Sequence, residues 1–371
     1  MRILFINDYP APYRVDFFNE LGKNCNLTVL YTKRNGQTSR DTKWISDSFV
    51  NFNGIFLNQT KLFHHSISFE IKQYLKTEKF DLIVLCDYAS LTGIYAHLIM
   101  KIRKMPYAIE ADGGFPKSGR GIKEWLKKKL LSSASWWLSS GEITDQYFLK
   151  YGAKAKNIYR YPFSSLRVAD ILQAVPNLEE KKKLKEKLQI TEEKVILSVG
   201  QYIHRKGYDI LLNSYKYLIY NAGVYIVGGK PTDEYIDLKE NLDLNHVHFV
   251  DFKVKEQLKD YYMAADIFVL PTREDIWGLV INEAMANGLP VITTDRCIAG
   301  SELVLNEKNG YIVPAEDAEA LGDSINQLFS NDEKLAVISV NNLNKIRSYT
   351  IESMSHSHLE VFKSICGEGN I

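Results

Sequence analysis

Short apolar runs alternate with helix-length stretches along this chain, and the alternation occurs twice. In the first half Ile3–Ile6, Leu27–Tyr31, Leu82–Cys86, Tyr107–Glu110 and Trp136–Ser139 read as strands, and Val15–Gly22, Glu70–Thr77, Ser90–Arg103 and Lys123–Ser132 as helices. That rhythm predicts βαβ units in a parallel, doubly wound sheet. The stretch Leu166–Glu193, which contains Glu179-Glu180-Lys181-Lys182-Lys183, interrupts the pattern and reads as a solvated helix in a linker region. The second half restarts it. Strands are expected at Val195–Val199, Val224–Val227, Val247–Val250, Ile267–Leu270, Val291–Thr293 and Tyr311–Val313. Helices are expected at Ile210–Tyr220, Lys255–Ala264, Leu279–Ala286, Ala318–Phe329 and Lys334–Asn344. The expected class is α/β, with two Rossmann-like domains at residues 1–166 and 167–349, the second including the linker. A last helix is expected over Thr350–Ile365. In open parallel sheets ligands bind beyond the carboxyl ends of the strands, and a cleft between two such domains is a natural ligand site.

Composition narrows the class. The 371 residues are enough for about two domains, and 45% hydrophobic with 25% charged residues excludes disordered, collagen-like and disulfide-scaffold chains. The net charge of +1 hides an asymmetry. Residues 1–166 carry 24 basic and 14 acidic side chains, whereas the remainder carries 22 basic and 31 acidic. A basic half suggests an anionic partner, such as a membrane surface, a lipid phosphate or nucleic acid. Cys25, Cys86, Cys297 and Cys366 form no CxxC pair, so structural zinc and a disulfide framework are not expected and a reducing compartment fits. The N-terminal apolar run is too short for a signal peptide, and no run approaches the length of a membrane span.

Three segments of the second half carry candidate chemistry. In Gly200-Gln201-Tyr202-Ile203-His204-Arg205-Lys206-Gly207 a strand runs into a glycine turn and a basic pair that suits a diphosphate, although a solvated basic turn is the plainer reading. The second runs from Glu274 and Asp275 through Trp277, Gly278 and Leu279 into a helix that ends at Gly288 and Pro290. The helix start is an anion site, with Asp275 just before it able to reach ligand hydroxyls or simply to cap the helix. Glu283, about two turns along the same side, can accept the two hydroxyls of a ribose; in isolation it would be a surface carboxylate. Its neighbours Ile281, Ala284 and Met285 are apolar, so a carboxylate there needs a partner. The third segment pairs Gly300-Ser301-Glu302 with Asn309-Gly310-Tyr311.

The Gly turn with Arg-Lys-Gly, the acidic residue eight positions before the Glu of Glu-Ala-Met-Ala-x-Gly-x-Pro-Val, and the later Asn-Gly-Tyr-Ile-Val together resemble the retaining GT-B glycosyltransferases of glycosyltransferase family 4. The resemblance spans nearly the whole chain and is densest over residues 195–315. It implies a GT-B fold, with a C-terminal helix at about 350–371 crossing back to the first domain, which would bind the acceptor. It implies that Gly200, Arg205 and Lys206 meet the donor diphosphate and that Glu283 holds the ribose. Asp275, or its rival Glu274, would contact the transferred sugar, with backbone groups of Trp277, Gly278 and Leu279 beside it. Asp275 stands where the family has Glu, and Gln201 where many members have Arg. In the first half a Pro-Tyr-Arg turn ending at Arg14 replaces the family's glycine loop. Asp112, with Glu110 second, takes the place of a His near the transferred sugar. Arg14, Glu110 and Asp112 are the acceptor-side candidates; their plainer readings are a salt-bridged arginine and a turn acid before Gly113-Gly114.

The implied activity is transfer of a hexose from a nucleotide-diphosphate sugar, with retention of configuration, to a glycan or lipid-linked acceptor in surface polysaccharide biosynthesis. UDP-hexose is the first choice of donor and GDP-mannose the second. The nucleotide sugar is a substrate, no cofactor is expected, and without an Asp-x-Asp motif no metal is expected. Catalytic contacts fall to Asp112, Asp275, Arg205 and Lys206, with attack on the face the leaving phosphate departs from. A UDP-sugar epimerase of the same fold and a non-catalytic nucleotide-sugar-binding subunit are the alternatives. Finally, Lys117, Arg120, Lys123, Lys127, Lys128 and Lys129 cluster beside Trp125, Leu126, Leu130 and Leu131. This basic stretch over 117–131 fits an anionic membrane surface better than nucleic acid, or else an ordinary helix packed by its leucine face. A cytoplasmic protein, peripheral at the inner face of the plasma membrane, is the expected location.

Overall fold

The computed structural model describes residues 1–34, 48–62, 65–76, 78–117 and 119–368. Thr77, Ser118 and the last three residues, which figure in the expectations above, lie outside them. The chain divides into two compact units, Met1–Ser165 with Thr350–Ile371 and Leu166–Tyr349.

The first unit is built from β1 (Arg2–Asn7), α1 (Pro12–Leu21), β2 (Asn26–Tyr31), β3 (Asn53–Phe56), the hairpin strands β4 (Thr60–Leu62) and β5 (His65–Ile67), and β6 (Leu82–Leu85). It continues with α2 (Leu91–Ile102), β7 (Ala108–Ala111), α3 (Ile122–Leu131), β8 (Trp136–Ser139), α4 (Glu142–Lys150) and β9 (Ile158–Arg160). Seven strands form one parallel sheet in the order β3-β2-β1-β6-β7-β8-β9. The order reverses between β1 and β6, so loops at their carboxyl ends diverge and leave a crevice there. The last helix of the chain, Ile351–Glu368, packs on α1. Its Phe362 meets Phe5 and its His358 lies between Phe17 and Tyr161, with ring centroids 4.7 and 4.6 Å away. Burying aromatic side chains of this size stabilises by roughly 1.5–3 kcal/mol each.

The second unit begins with α5 (Leu178–Leu188), capped by Asn177 and Glu180, which bond each other's backbone N–H groups. It continues with β10 (Lys194–Val199), α6 (Tyr208–Ser214), β11 (Ala222–Val227), α7 (Asp233–Asn241), β12 (Val247–Val250) and α8 (Lys255–Ala264). Then follow β13 (Ile267–Leu270), α9 (Leu279–Ala286), β14 (Val291–Thr294), α10 (Ile298–Leu303), β15 (Gly310–Val313), α11 (Ala318–Phe329) and α12 (Asp332–Ile346). The chain's last helix, Ile351–Glu368, is α13. Six parallel strands run in the order β12-β11-β10-β13-β14-β15, with the reversal between β10 and β13. Among the described residues no helix is long and apolar enough to cross a membrane.

Two predicted helices are cut short. Of the expected Glu70–Thr77, the described residues form a single 3-10 turn, Glu70–Gln73. The Glu70 carboxylate accepts from the Asn58 backbone and side chain, and Arg103 takes the Leu75 carbonyl that a continuing helix would have used. Ile210–Tyr220 stops as an α-helix at Ser214. The Asn326 amide of α11 bonds the Ile219 N–H and the Tyr217 carbonyl, which replaces the helical ladder.

Candidate functional site

The two loops at the reversal point of the second sheet, after β10 and after β13, are stitched together by backbone. The Arg205 carbonyl accepts from the Arg273 N–H and the Thr272 hydroxyl, both at 2.9 Å, while Arg205 Nη1 donates to the Glu274 carbonyl at 2.7 Å. Arg273 in turn forks onto Asp209 at 2.6 and 2.8 Å and donates to the His204 carbonyl. Gly207 is what lets the loops approach so closely. Its φ is +69°, and a Cβ there would stand 2.1 Å from the Pro271 carbonyl oxygen.

This framework brings Arg205, Lys206 and Asp275 together. Lys206 Nζ lies 2.7 Å from Asp275 Oδ2 and Arg205 Nη1 lies 3.3 Å from Asp275 Oδ1. The Lys206 and Asp275 side chains are largely enclosed, at 11% and 13% exposure, and Arg205 is open. Burial pushes the Asp275 carboxyl up, but Lys206 and Arg205 outweigh it and hold it below the usual carboxylate range. Of the two acids considered for this place, Asp275 faces both cations, and Glu274 contributes its carbonyl. Asp275 is fixed by its backbone as well, donating to the Arg296 carbonyl and accepting from Ile298 N–H.

Past Asp275 the chain turns through Trp277, whose indole donates to Asn282 at 2.8 Å, and Gly278, with φ of +99°. A Cβ on Gly278 would meet Cys297 Sγ at 2.8 Å. Leu279 then opens α9, and Gly278 at its N-cap offers no capping side chain. On α9, Glu283 accepts from the Tyr262 hydroxyl of α8 at 2.9 Å. Burial raises the Glu283 carboxyl above its ordinary value, and the Tyr262 hydrogen bond only partly offsets this. Tyr262 was not singled out in the sequence; its only signal is a hydroxyl on the buried side of α8. Glu302 accepts from Tyr349 at 3.2 Å, and Asn309 bonds Leu303 and Leu305 to shape the turn into β15.

Because the folded-state value of Glu283 lies above the unfolded one, its proton is held more tightly in the fold. Folding therefore loses stability as pH rises from the ordinary glutamate range through the raised value. Glu283→Gln is expected to melt at a higher temperature than the wild type at neutral pH, with the gain vanishing in acid. Scanning calorimetry across that window checks it.

In the first unit, Arg14 of α1 points into the sheet's reversal point and is 3% exposed. Its Nη1 lies 2.6 Å from Glu110 Oε1 and 3.4 Å from Asp112 Oδ1, and its Nη2 is 3.1 Å from Cys86 Sγ. His358 of α13 reaches the other Glu110 oxygen at 3.2 Å, with both side chains fully buried. Burial alone would raise the Glu110 carboxyl, but Arg14 and His358 hold it well below the ordinary range. Asp112 is driven the other way, by burial first and by its repulsion from Glu110, against Arg14, Tyr161 and Tyr13. Tyr161 and Tyr13 hydroxyls donate to it at 3.0 and 3.4 Å. Glu110 is thus consumed by internal partners, and of the two carboxylates it is Asp112, with a quarter of its side chain exposed, that meets solvent.

Comparison with known proteins bears on the second unit first. Residues 180–345 match the family model Glycosyl transferases group 1. Over 179 residues the chain is 31% identical to the lipopolysaccharide core biosynthesis mannosyltransferase LpsB of Rhizobium meliloti, covering 45% of this chain and 50% of that protein. Over 160 residues it is 32% identical to the capsular polysaccharide biosynthesis glycosyltransferase CapM of Staphylococcus aureus, covering 41% of each. The chain spans about half the length of the curated relatives it matches. Among solved structures, Anabaena Alr3699/HepE in complex with UDP superposes with a TM-score of 0.77 at 16% identity, over 98% of this chain and 100% of that one. The fold is GT-B, two parallel-sheet α/β units.

Proposed function

We propose that this chain is a glycosyltransferase that moves a hexose from a nucleotide-diphosphate sugar to a glycan or lipid-linked acceptor in surface polysaccharide biosynthesis, with retention of configuration. The observation that carries the reading is the Asp275 carboxylate held between Lys206 and Arg205 beyond the carboxyl ends of β10 and β13. Departure of a nucleoside diphosphate leaves negative charge on the β-phosphate. Lys206 and Arg205 offer positive charge already oriented by Asp275 and by the backbone, so little reorganisation is needed as that charge develops. Asp275, kept ionised, accepts hydrogen bonds from sugar hydroxyls. Glu283, eight residues beyond it on α9 and given one hydrogen bond by Tyr262, has acceptor capacity left for the two ribose hydroxyls.

The two cations supply the charge compensation in this reading, so donor binding is expected to survive EDTA. With the sugar oriented by Asp275, the acceptor attacks from the face the phosphate leaves, and the departing phosphate oxygen takes the acceptor's proton. Asp112, backed by Arg14, is the acceptor-side group. UDP-hexose is the favoured donor, in keeping with the UDP held by the HepE structure. GDP-mannose is second, in keeping with the relative named a mannosyltransferase.

Titration of UDP-glucose, UDP-galactose, UDP-N-acetylglucosamine and GDP-mannose in EDTA tests the assignment. One of them is expected to bind to the wild type and to lose affinity about tenfold or more in Glu283→Ala, the cost of a lost pair of charge-assisted hydrogen bonds. Binding of none, or binding unchanged in that variant, overturns it.

A further inference from the structure

Helix α3 turns part of its apolar surface outward. On its inward side, Leu131 is 1% exposed, and Glu124, Lys127 and Leu130 are half-buried. Glu124 accepts from the Tyr151 hydroxyl at 2.8 Å, and Lys127 Nζ sits over the Tyr147 and Tyr151 rings at 4.6 and 4.3 Å. On its outward side stand Ile122, Trp125 and Leu126, at 84%, 60% and 41% exposure. Positions 122, 125, 126 and 129 are spaced as one helical stripe, so the outward stripe is apolar along three of its four members. An ordinary surface helix turns its leucines to the core and its charges to water. Here Leu131 and, in part, Leu130 pack inward, as the leucine-face reading expects, while Leu126, Trp125 and Ile122 stay outside.

Around this stripe Lys117, Arg120, Lys123, Lys128 and Lys129 are all exposed. Lys129 lies beside the Trp125 ring, 5.9 Å from its centroid. Apolar side chains with an indole among them, ringed by cations, complement the interface of an anionic bilayer. An apolar protein partner would leave those cations to be desolvated without counter-charges. The first turn of α3 also follows β7, at the carboxyl end of the sheet where Arg14 and Asp112 meet.

We infer that the outward face of α3 docks this protein on anionic lipid bilayers, with Ile122, Trp125 and Leu126 entering the headgroup region and the surrounding cations meeting lipid phosphates. That the bound lipid surface also presents the acceptor to Asp112 rests on the glycosyl-transfer reading; the docking itself does not.

The test uses the full chain and vesicles of phosphatidylcholine, alone or mixed with phosphatidylglycerol. The protein is expected to sediment with the mixed vesicles and not with phosphatidylcholine alone, and to come off as salt rises. Ile122→Ser with Trp125→Ser is expected to weaken binding about tenfold or more, and Lys123→Glu with Lys128→Glu by a similar factor. Neither pair is expected to lower the thermal midpoint appreciably, since all four side chains are exposed. No sedimentation with mixed vesicles, or sedimentation untouched by both pairs, overturns the inference. So does a concentration-dependent dimer that the serine pair abolishes, because the face would then belong to a second copy. Vesicle binding without donor binding would leave the docking standing and remove only the enzymatic reading.

Discussion

Arg14→Met is expected to be the most destabilising single substitution in the first unit, at about 3–5 kcal/mol, the cost of removing one partner from a buried ion pair. The guanidinium is 3% exposed and stands 2.6 Å from Glu110 and 3.4 Å from Asp112. Without it, Glu110 keeps only His358, and two carboxylates share one enclosed site. The pair's titration gives the substitution its pH signature. Glu110 has a folded-state value below its unfolded one, so its contribution is present above the ordinary glutamate range and is lost as pH falls through the lowered value. In Arg14→Met that depression weakens, so the variant loses most stability near neutral pH and least in acid. For a unit of this size the thermal midpoint should fall by roughly 2–4 °C per kcal/mol. Adding Glu110→Gln should recover part of the loss, because an amide carries no charge to strand. Thermal melts of both variants at neutral and acid pH check this. Equal losses in the single and double variants would mean that Arg14 acts through its guanidinium over the Phe17 and Phe18 rings, at 5.5 and 5.2 Å, rather than through Glu110.

How much of this was legible depended on whether the information was local. Strands at Val247–Val250, Ile267–Leu270 and Trp136–Ser139, and helices at Lys255–Ala264, Leu279–Ala286 and Ala318–Phe329, fall on the residues the pattern marks. Each is buried on a face its own side chains define. Asn53–Phe56 was missed because Asn and Gly disfavour strands; it is a strand only because it pairs with β2 from Thr28 to Tyr31. Ile158–Arg160, three residues at the other edge, is likewise made by its pairing with β8. Helices α4, α7 and α10 also went unmarked, each short and without a long apolar repeat. The candidate donor residues lie in two short segments and could be named from them. That Lys206 and Asp275, 69 positions apart, share one ion pair could not. Nor could the role of His358, which stands 248 positions from Glu110 and meets it only because α13 returns to the first unit.

The second large effect is expected at Lys206. Lys206→Ala should lower turnover by about 10²–10³, equivalent to about 2.7–4 kcal/mol, the usual cost of removing one preorganised group that stabilises developing negative charge. The position leaves little to compensate. Lys206 is the enclosed cation of the pair, while Arg205 is open and spends one guanidinium nitrogen on the Glu274 carbonyl. The same substitution has a ground-state consequence. Asp275 is 13% exposed and is held ionised first by Lys206 against the pull of burial, so losing the lysine lets its carboxyl rise. A second loss should therefore appear at low pH, where the wild type still holds Asp275 as an acceptor for sugar hydroxyls and the variant does not. Asp275→Asn separates the two roles. It keeps a hydrogen-bonding group of the same shape and leaves both cations in place, so donor affinity through the diphosphate should survive while turnover falls. The comparison is made on donor turnover in EDTA, by initial rates of nucleotide release from the donor that binds, across the acid limb of the pH profile. If Lys206→Ala kept wild-type turnover and the wild-type acid limb, the charge on the leaving diphosphate would have to be met elsewhere, and the Lys206–Asp275 pair would be only a brace between two loops.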